Sequence, residues 1–124
     1  MPRRLPERLP RRERRRDTRS CAAHRAWVRQ HRCSVPQCQN LPIECAHVRS
    51  GTDGGQGLKP SDRWCISLCQ RHHHEQHRVG ERAFEVRHGI CLVDLARAFA
   101  ARSPHWRRLQ EIHTQPQGQV RCGF

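Results

Sequence analysis

Residues 65–80 read CISLCQRHHHEQHRVG, and they decide the fold. The apolar and β-branched run RWCISL at 63–68 predicts a strand, and the polar stretch QRHHHEQHR after Cys69 predicts a helix that Gly80 stops. At that strand-to-helix junction stand Cys69 and His72, spaced C-x2-H, and upstream Cys33 and Cys38 are spaced C-x4-C in a loop with Pro36. Alone, C-x4-C is a loose pattern that ordinary buried thiols can also produce, and the second pair makes it convincing. Two donor pairs on two turns are how a tetrahedral structural zinc is assembled, so Cys33, Cys38, Cys69 and His72 are the predicted zinc quartet.

Working outward, IECAHVR at 43–49 predicts the partner strand, with Ile43, Cys45 and His47 on one face and Glu44, Ala46 and Val48 on the other. The segment SGTDGGQGLKPSD at 50–62, with four Gly and a Pro, predicts a long loop between the strands. Before the Cys pairs, a short helix is predicted from a Ser20 N-cap, with Ala23, Ala26 and Trp27 as its stripe. After Gly80, helices are predicted from Glu81 to His88, stopped by Gly89, and along Leu92, Leu95, Ala96, Phe99 and Ala100 to Arg102. That last stripe suits core first and an interface second. Ser103 and Pro104 are predicted as N-cap and N1 of a final helix carrying Trp106 and Leu109, with a frayed end from 114 to 124. Cys21, Cys45, Cys65, Cys91 and Cys122 lack a partner at ligand spacing and are read as small hydrophobes. The organisation predicted is a disordered Arg-rich arm at 1–19, a zinc-stabilised α+β domain at 20–103, and a short helix with a flexible tail at 104–124.

Composition sets the bounds. The chain has 124 residues, only 35% of them apolar, so its one domain can build only a modest core, and a bound metal would add folding free energy directly. With 24 basic and 11 acidic side chains the charge is +13, of which the first 20 residues, nine Arg against three acids, supply +6. Such a balance points to a polyanion, above all nucleic acid, although a like-charge arm can also be a plain solvated tail. No apolar run is long enough for a membrane span or a secretory signal, so a cytoplasmic setting is expected. Thiols there stay reduced, and 8 Cys with 10 His then speak for metal rather than disulfides.

A second constellation gathers His47, Asp62 and the run His72, His73, His74, His77. His73 and His77 lie four apart on one helix face, an arrangement that can hold a divalent ion. His47 ends a strand before the glycine-rich loop, where an imidazole can meet a phosphodiester and serve as a general base near neutral pH. A single such His is more often structural; the neighbours make the chemical role worth carrying.

The strings CSVPQC, ECAHVRSGTDGGQGLKPSD and ISLCQRHHHEQH together resemble the HNH, or ββα-metal, nucleases, and among them the prophage-borne recombination-enhancement (Ref-like) type, over about residues 21–103. The resemblance implies two strands and a helix around one divalent cation, flanked by a structural zinc. By position, it implies that His47 deprotonates the attacking water, that Asp62 and His73, with His77, bind the catalytic magnesium or manganese, and that the quartet above holds zinc. It also implies DNA as substrate and a recombinase filament as a partner. Three positions depart from the family pattern: Ala46 stands where a metal-ligating His or Asp is common, Asp62 replaces Asn, and His72 replaces a second Cys. Arg49, Lys59, Arg63 and Arg71 are the predicted phosphate contacts, which position a backbone without reading bases. Ala46 also supports a rival reading, a noncatalytic zinc-dependent nucleic-acid-binding module, while the long helical C-terminal part supports a third, a structural adaptor in a phage or recombination complex. Nothing in the sequence fixes an oligomeric state.

Overall fold

A computed structural model describes residues 4–8, 19–54 and 58–112. Residues 4–8 are exposed and have no regular secondary structure; the rest of the predicted arm up to Thr18, and the predicted frayed end, lie outside the described residues. The elements are α1 (Ala22–Val28), β1 (Ile43–His47), β2 (Cys65–Cys69), α2 (Gln70–Val79), α3 (Glu81–His88), α4 (Leu92–Arg102) and α5 (Trp106–Glu111). The architecture is therefore α+β. No helix among the described residues is long and apolar enough to cross a membrane.

β1 and β2 form a two-stranded antiparallel sheet in which Ile43 opposes Cys69 and His47 opposes Cys65. Val48 N–H donates to the Trp64 carbonyl at 2.9 Å and carries the pairing one step past the strands. Side chains alternate as the period of two requires. Ala46, Val48, Trp64, Ile66 and Leu68 fall on one face and make the main core with Phe84, Leu92, Val93 and Ala96. The apolar stripe of α4 thus lies on the core side, with Leu95 and Phe99 packed at its edge. A two-stranded ribbon is marginal by itself; here helices cover it.

Helix ends follow local chemistry. Gly80 at φ 87° ends α2 and Gly89 at φ 63° ends α3, both in the region where a Cβ is costly. The Cys69 thiol caps α2 by accepting from the His72 N–H. Two predicted caps differ. α1 takes Cys21, not Ser20, as N-cap without a side-chain bond of its own; the Asp62 carboxylate supplies one instead, accepting from Cys21 N–H at 2.7 Å. Ser103 ends α4 rather than starting a helix, and α5 begins at Trp106 after His105.

The stripe of α1 also differs. Ala23 and Ala26 are exposed, whereas Cys21, His24 and Val28 are buried, because the helix packs across the second sheet face and against the C-terminal end. There Leu109 and Ile112 cluster with Cys21, so the start of the predicted tail region belongs to the packed body. His24 Nδ1 lies 2.9 Å from Ser103 Oγ, and its Nε2 has no partner among the described residues.

Burial lowers the His24 pKa from 6.5 to about 4, against the smaller opposite pull of Asp62. The unfolded chain therefore binds a proton near pH 6.5 that the folded chain refuses until about pH 4; stability from this group is full above 6.5 and declines as pH falls through that window. The loss at the acid end is at most about 3 kcal/mol. Chemical denaturation of wild type and His24→Gln at pH 7.5 and 4.5 is expected to show a shallower acid decline in the variant; equal declines would refute the buried neutral imidazole.

Candidate functional site

Two sites grow from the β2–α2 junction. At its outer end Cys69 closes the strand and His72 sits in the first turn of the helix. The loop at 33–38 folds back so that Cys38 N–H donates to the Val35 carbonyl at 3.1 Å, with Gln37 turned through φ 65°. This turn lays both its thiols against the junction. Cys33 Sγ is 3.4 Å from His72 Nδ1, Cys69 Sγ is 3.2 Å from it, and Cys38 Sγ is 3.8 Å from Cys69 Sγ. All four donor atoms lie within 4.8 Å of one another, a group that could hold a metal ion. Of the three consecutive His, His72 is the one that joins the thiols. Its ring is backed by His88, 5.1 Å away between centroids, and His88 Nε2 lies 2.6 Å from Glu75 Oε1; outer partners of this kind fix a ligand's orientation. Burial pushes the Cys33 thiol up to about 11, so it becomes a thiolate when an ion compensates the charge.

The second site is a cleft of about 770 Å³ between α1, the end of β1 and α2, lined by Arg25, Arg29, Glu44, Cys45, His47, Arg49, Lys59, His73, Gln76, His77 and Glu81. His47 Nε2 is 2.8 Å from Asp62 Oδ1. Asp62 is almost fully buried, and burial by itself would raise its carboxyl. Hydrogen bonds from His47, the Cys21 N–H and the Arg25 guanidinium outweigh that and hold it well below the usual carboxylate range. Gln76 Nε2 donates to the His47 carbonyl at 3.3 Å, tying α2 to the strand end. Beyond His47, Glu81 accepts from Arg49 N–H at 2.9 Å and Ser50 N–H at 2.7 Å, and Asp53 accepts from Ser61 N–H and Oγ at 3.0 and 2.6 Å. The loop is thus pinned at both limbs next to the cleft.

The predicted residues fall into place unevenly. His47, His73 and His77 share the cleft with Arg49 and Lys59. Asp62 does not join His73 and His77: among the described residues its group is His47, Asp62 and Cys65, because its carboxylate is consumed by α1 and by His47. His73 Nδ1 instead meets Glu44 Oε1 at 2.9 Å. Arg63 lies over the Trp64 ring at 5.7 Å and lines a different hollow with Arg97; Arg71 is exposed at the start of α2 outside the cleft. Sequence reasoning missed Arg25, Arg29 and Glu44. The i, i+4 spacing of Arg25 on α1 and Arg29 at its C-cap, and the strand parity of Glu44, are the available signals. Two cysteines also depart from a plain hydrophobic role: Cys65, buried beside Cys45, has its thiol pushed up by the hydrogen bond they share and by burial, while Cys45 borders the cleft. Cys91 is disulfide-bonded, against the expectation of reduced thiols throughout.

Fold and sites together define a small α+β domain with a Cys3His cradle that could hold a metal ion and a basic, histidine-lined cleft. The chain belongs to the family described as protein of unknown function, DUF968, which it matches over residues 6–103. Neither the curated proteins nor the solved structures contain a match.

The cradle predicts one tightly held metal ion per chain. Stripping it with a strong chelator, or replacing Cys69 with Ser, is expected to lower the melting temperature by at least about 10 °C, since metal affinity adds directly to folding free energy. Metal analysis of the folded protein alongside thermal denaturation checks this; an ion-free protein of unchanged stability would remove the cradle's role.

Proposed function

We propose that the chain is a metal-dependent endonuclease that hydrolyses phosphodiester bonds in DNA, with His47 as general base and a structural zinc in the quartet. The observation that carries the reading is the His47–Asp62 pair at the wall of a cleft that also presents four cationic side chains and the His73–His77 pair. The donor sets fit the two metals. A tetrahedral zinc with Zn–S bonds of about 2.3 Å spaces its sulfurs about 3.8 Å apart, which matches the 3.8 Å between Cys38 and Cys69. In the cleft, with Asp62 engaged elsewhere, the nearby imidazoles of His73 and His77 would hold a divalent cation. Nitrogen donors favour manganese and later transition ions over magnesium. When bound, such a cation supplies positive charge to the phosphate and to the departing oxygen.

The protein's own groups do the rest. Asp62 accepts the Nε2 proton of His47 and leaves Nδ1, which has no hydrogen-bond partner among the described residues, as the free base. Nδ1 takes a proton from water, and the buried carboxylate stabilises the resulting imidazolium, as an orienting acid does in other His-dependent hydrolases. Arg25, Arg29, Arg49 and Lys59 border the site and would neutralise phosphates on either side of the scissile bond. These contacts report backbone geometry, so little sequence preference follows from the cleft alone.

Supercoiled plasmid incubated with the zinc-loaded protein and manganese tests the reading. Nicking is expected, with a loss of at least about 100-fold in His47→Ala at unchanged zinc content. Asp62→Asn is expected to cut more slowly and also to melt lower, because it loosens α1. A wild-type protein that binds DNA and never nicks it with any divalent ion would favour the noncatalytic binding module, and the enzyme reading would fall.

A further inference from the structure

The nuclease reading leaves a gap at Ala46, where a ligand would be expected, and the structure shows what stands near it. Alternation along β1 puts Glu44 on the same face as Ala46. Ala46 is fully buried, whereas Glu44, one pleat earlier, is partly exposed and faces the cleft. Its Oε1 lies 2.9 Å from His73 Nδ1. On the opposite edge of the same ring, His73 Nε2 is 3.2 Å from His77 Nε2. Two nitrogens bound to one ion at about 2.1 Å and at angles between octahedral and tetrahedral are about 3.0–3.4 Å apart, so the two Nε2 atoms already stand at the spacing of a shared cation.

From this chain of contacts we infer that Glu44 is the positioning carboxylate of a two-histidine cation site formed by His73 and His77. Glu44 accepts the Nδ1 proton of His73, which fixes the tautomer with an unprotonated Nε2 and aims that lone pair toward His77. Carboxylate–imidazole–metal relays work in this way, and removal of the outer carboxylate weakens metal binding about 10- to 100-fold. Glu44 therefore acts through His73 and takes over part of what an acid or imidazole at position 46 would do. The same cleft also carries Arg29, Arg49, Lys59 and Glu81, while His47 is pinned to Asp62 and Arg25 is drawn to the same carboxylate. This inference deepens the cleft's cation site and rests on the nuclease reading only for what the cation is used for.

The probe is Ni²⁺, which imidazole nitrogens bind more tightly than Mn²⁺, titrated calorimetrically into full-length protein whose quartet is already zinc-loaded. Wild type is expected to take up one Ni²⁺, His73→Ala and His77→Ala to lose that site, and His74→Ala, the exposed neighbour, to keep it. Glu44→Ala is expected to bind about 10- to 100-fold more weakly, and Glu44→Gln, whose amide oxygen can accept the same Nδ1 proton, to recover most of the affinity. Equal Ni²⁺ affinity in Glu44→Ala and wild type would overturn the positioning role, and absence of a His73-dependent site would overturn the site itself. Glu44-dependent Ni²⁺ binding in a protein that never cuts DNA would sink the nuclease reading and leave the cation site standing. Zinc content of every variant establishes that each has folded.

Discussion

A buried carboxylate costs several kcal/mol unless charged and polar donors surround it, and Asp62 has found three of them, two on α1 with its N-cap and one on β1. Its oxygens take the N–H that opens α1, the guanidinium of Arg25 one turn later, and the imidazole of His47 at the end of β1. The Asp62 N–H in turn donates to the Arg19 carbonyl at 2.9 Å. Helix, strand and loop cannot separate without leaving that charge unpaired. This one constraint docks α1 on the sheet and sets the orientation of His47.

The second organising device is the transition from β2 to α2. Successive residues on a helix point about 100° apart, so His72 and His73 look in different directions from the same turn. His72 looks toward Cys33 and Cys69, and His73 looks toward Glu44 and, one turn on, His77. Anything that fills the quartet also fixes the start of α2, and with it the direction of His73. The cradle thereby serves the cleft without touching it. Gly80 then releases the chain, and Glu81, the first residue of α3, reaches back to the Arg49 and Ser50 amides.

Both strands, the helix after Cys69, its glycine stop and the quartet could be read from residues 33–80, because strand alternation, Gly punctuation and ligand spacing are local signals. The errors concern partners that sequence distance hides. Spacing alone offers Ala23, Ala26 and Trp27 as the stripe of α1, but what covers a seven-residue helix is settled by α5 and Ser103, far along the chain. An acid near a histidine run suits a cation, and only the fold shows that the start of α1 and His47 claim the Asp62 oxygens first. Arg63 carries the right charge and the wrong direction, its guanidinium lying on Trp64. Strand alternation puts Glu44 on the correct face, yet its contact with His73 depends on α2 packing over that face.

The charge of +13 acquires a sharper meaning from this geometry. A solvated cation contributes little beyond long-range attraction, which salt screens within about 10 Å. The cleft's cations are different in kind: Arg25 is held by Asp62, Arg49 follows a backbone pinned by Glu81, and Lys59 precedes a loop limb fixed by the Asp53–Ser61 bonds. They come from α1, the strand end and the loop, and line the same cleft as His47. On the proposed nuclease reading, fixed positive charges around His47 would suit a substrate whose negative charge is distributed along a backbone, since each phosphate would meet a cation whose ordering cost was already met in folding. The charge elsewhere on the chain adds attraction; the arrangement around His47 is what gives that attraction a place to act.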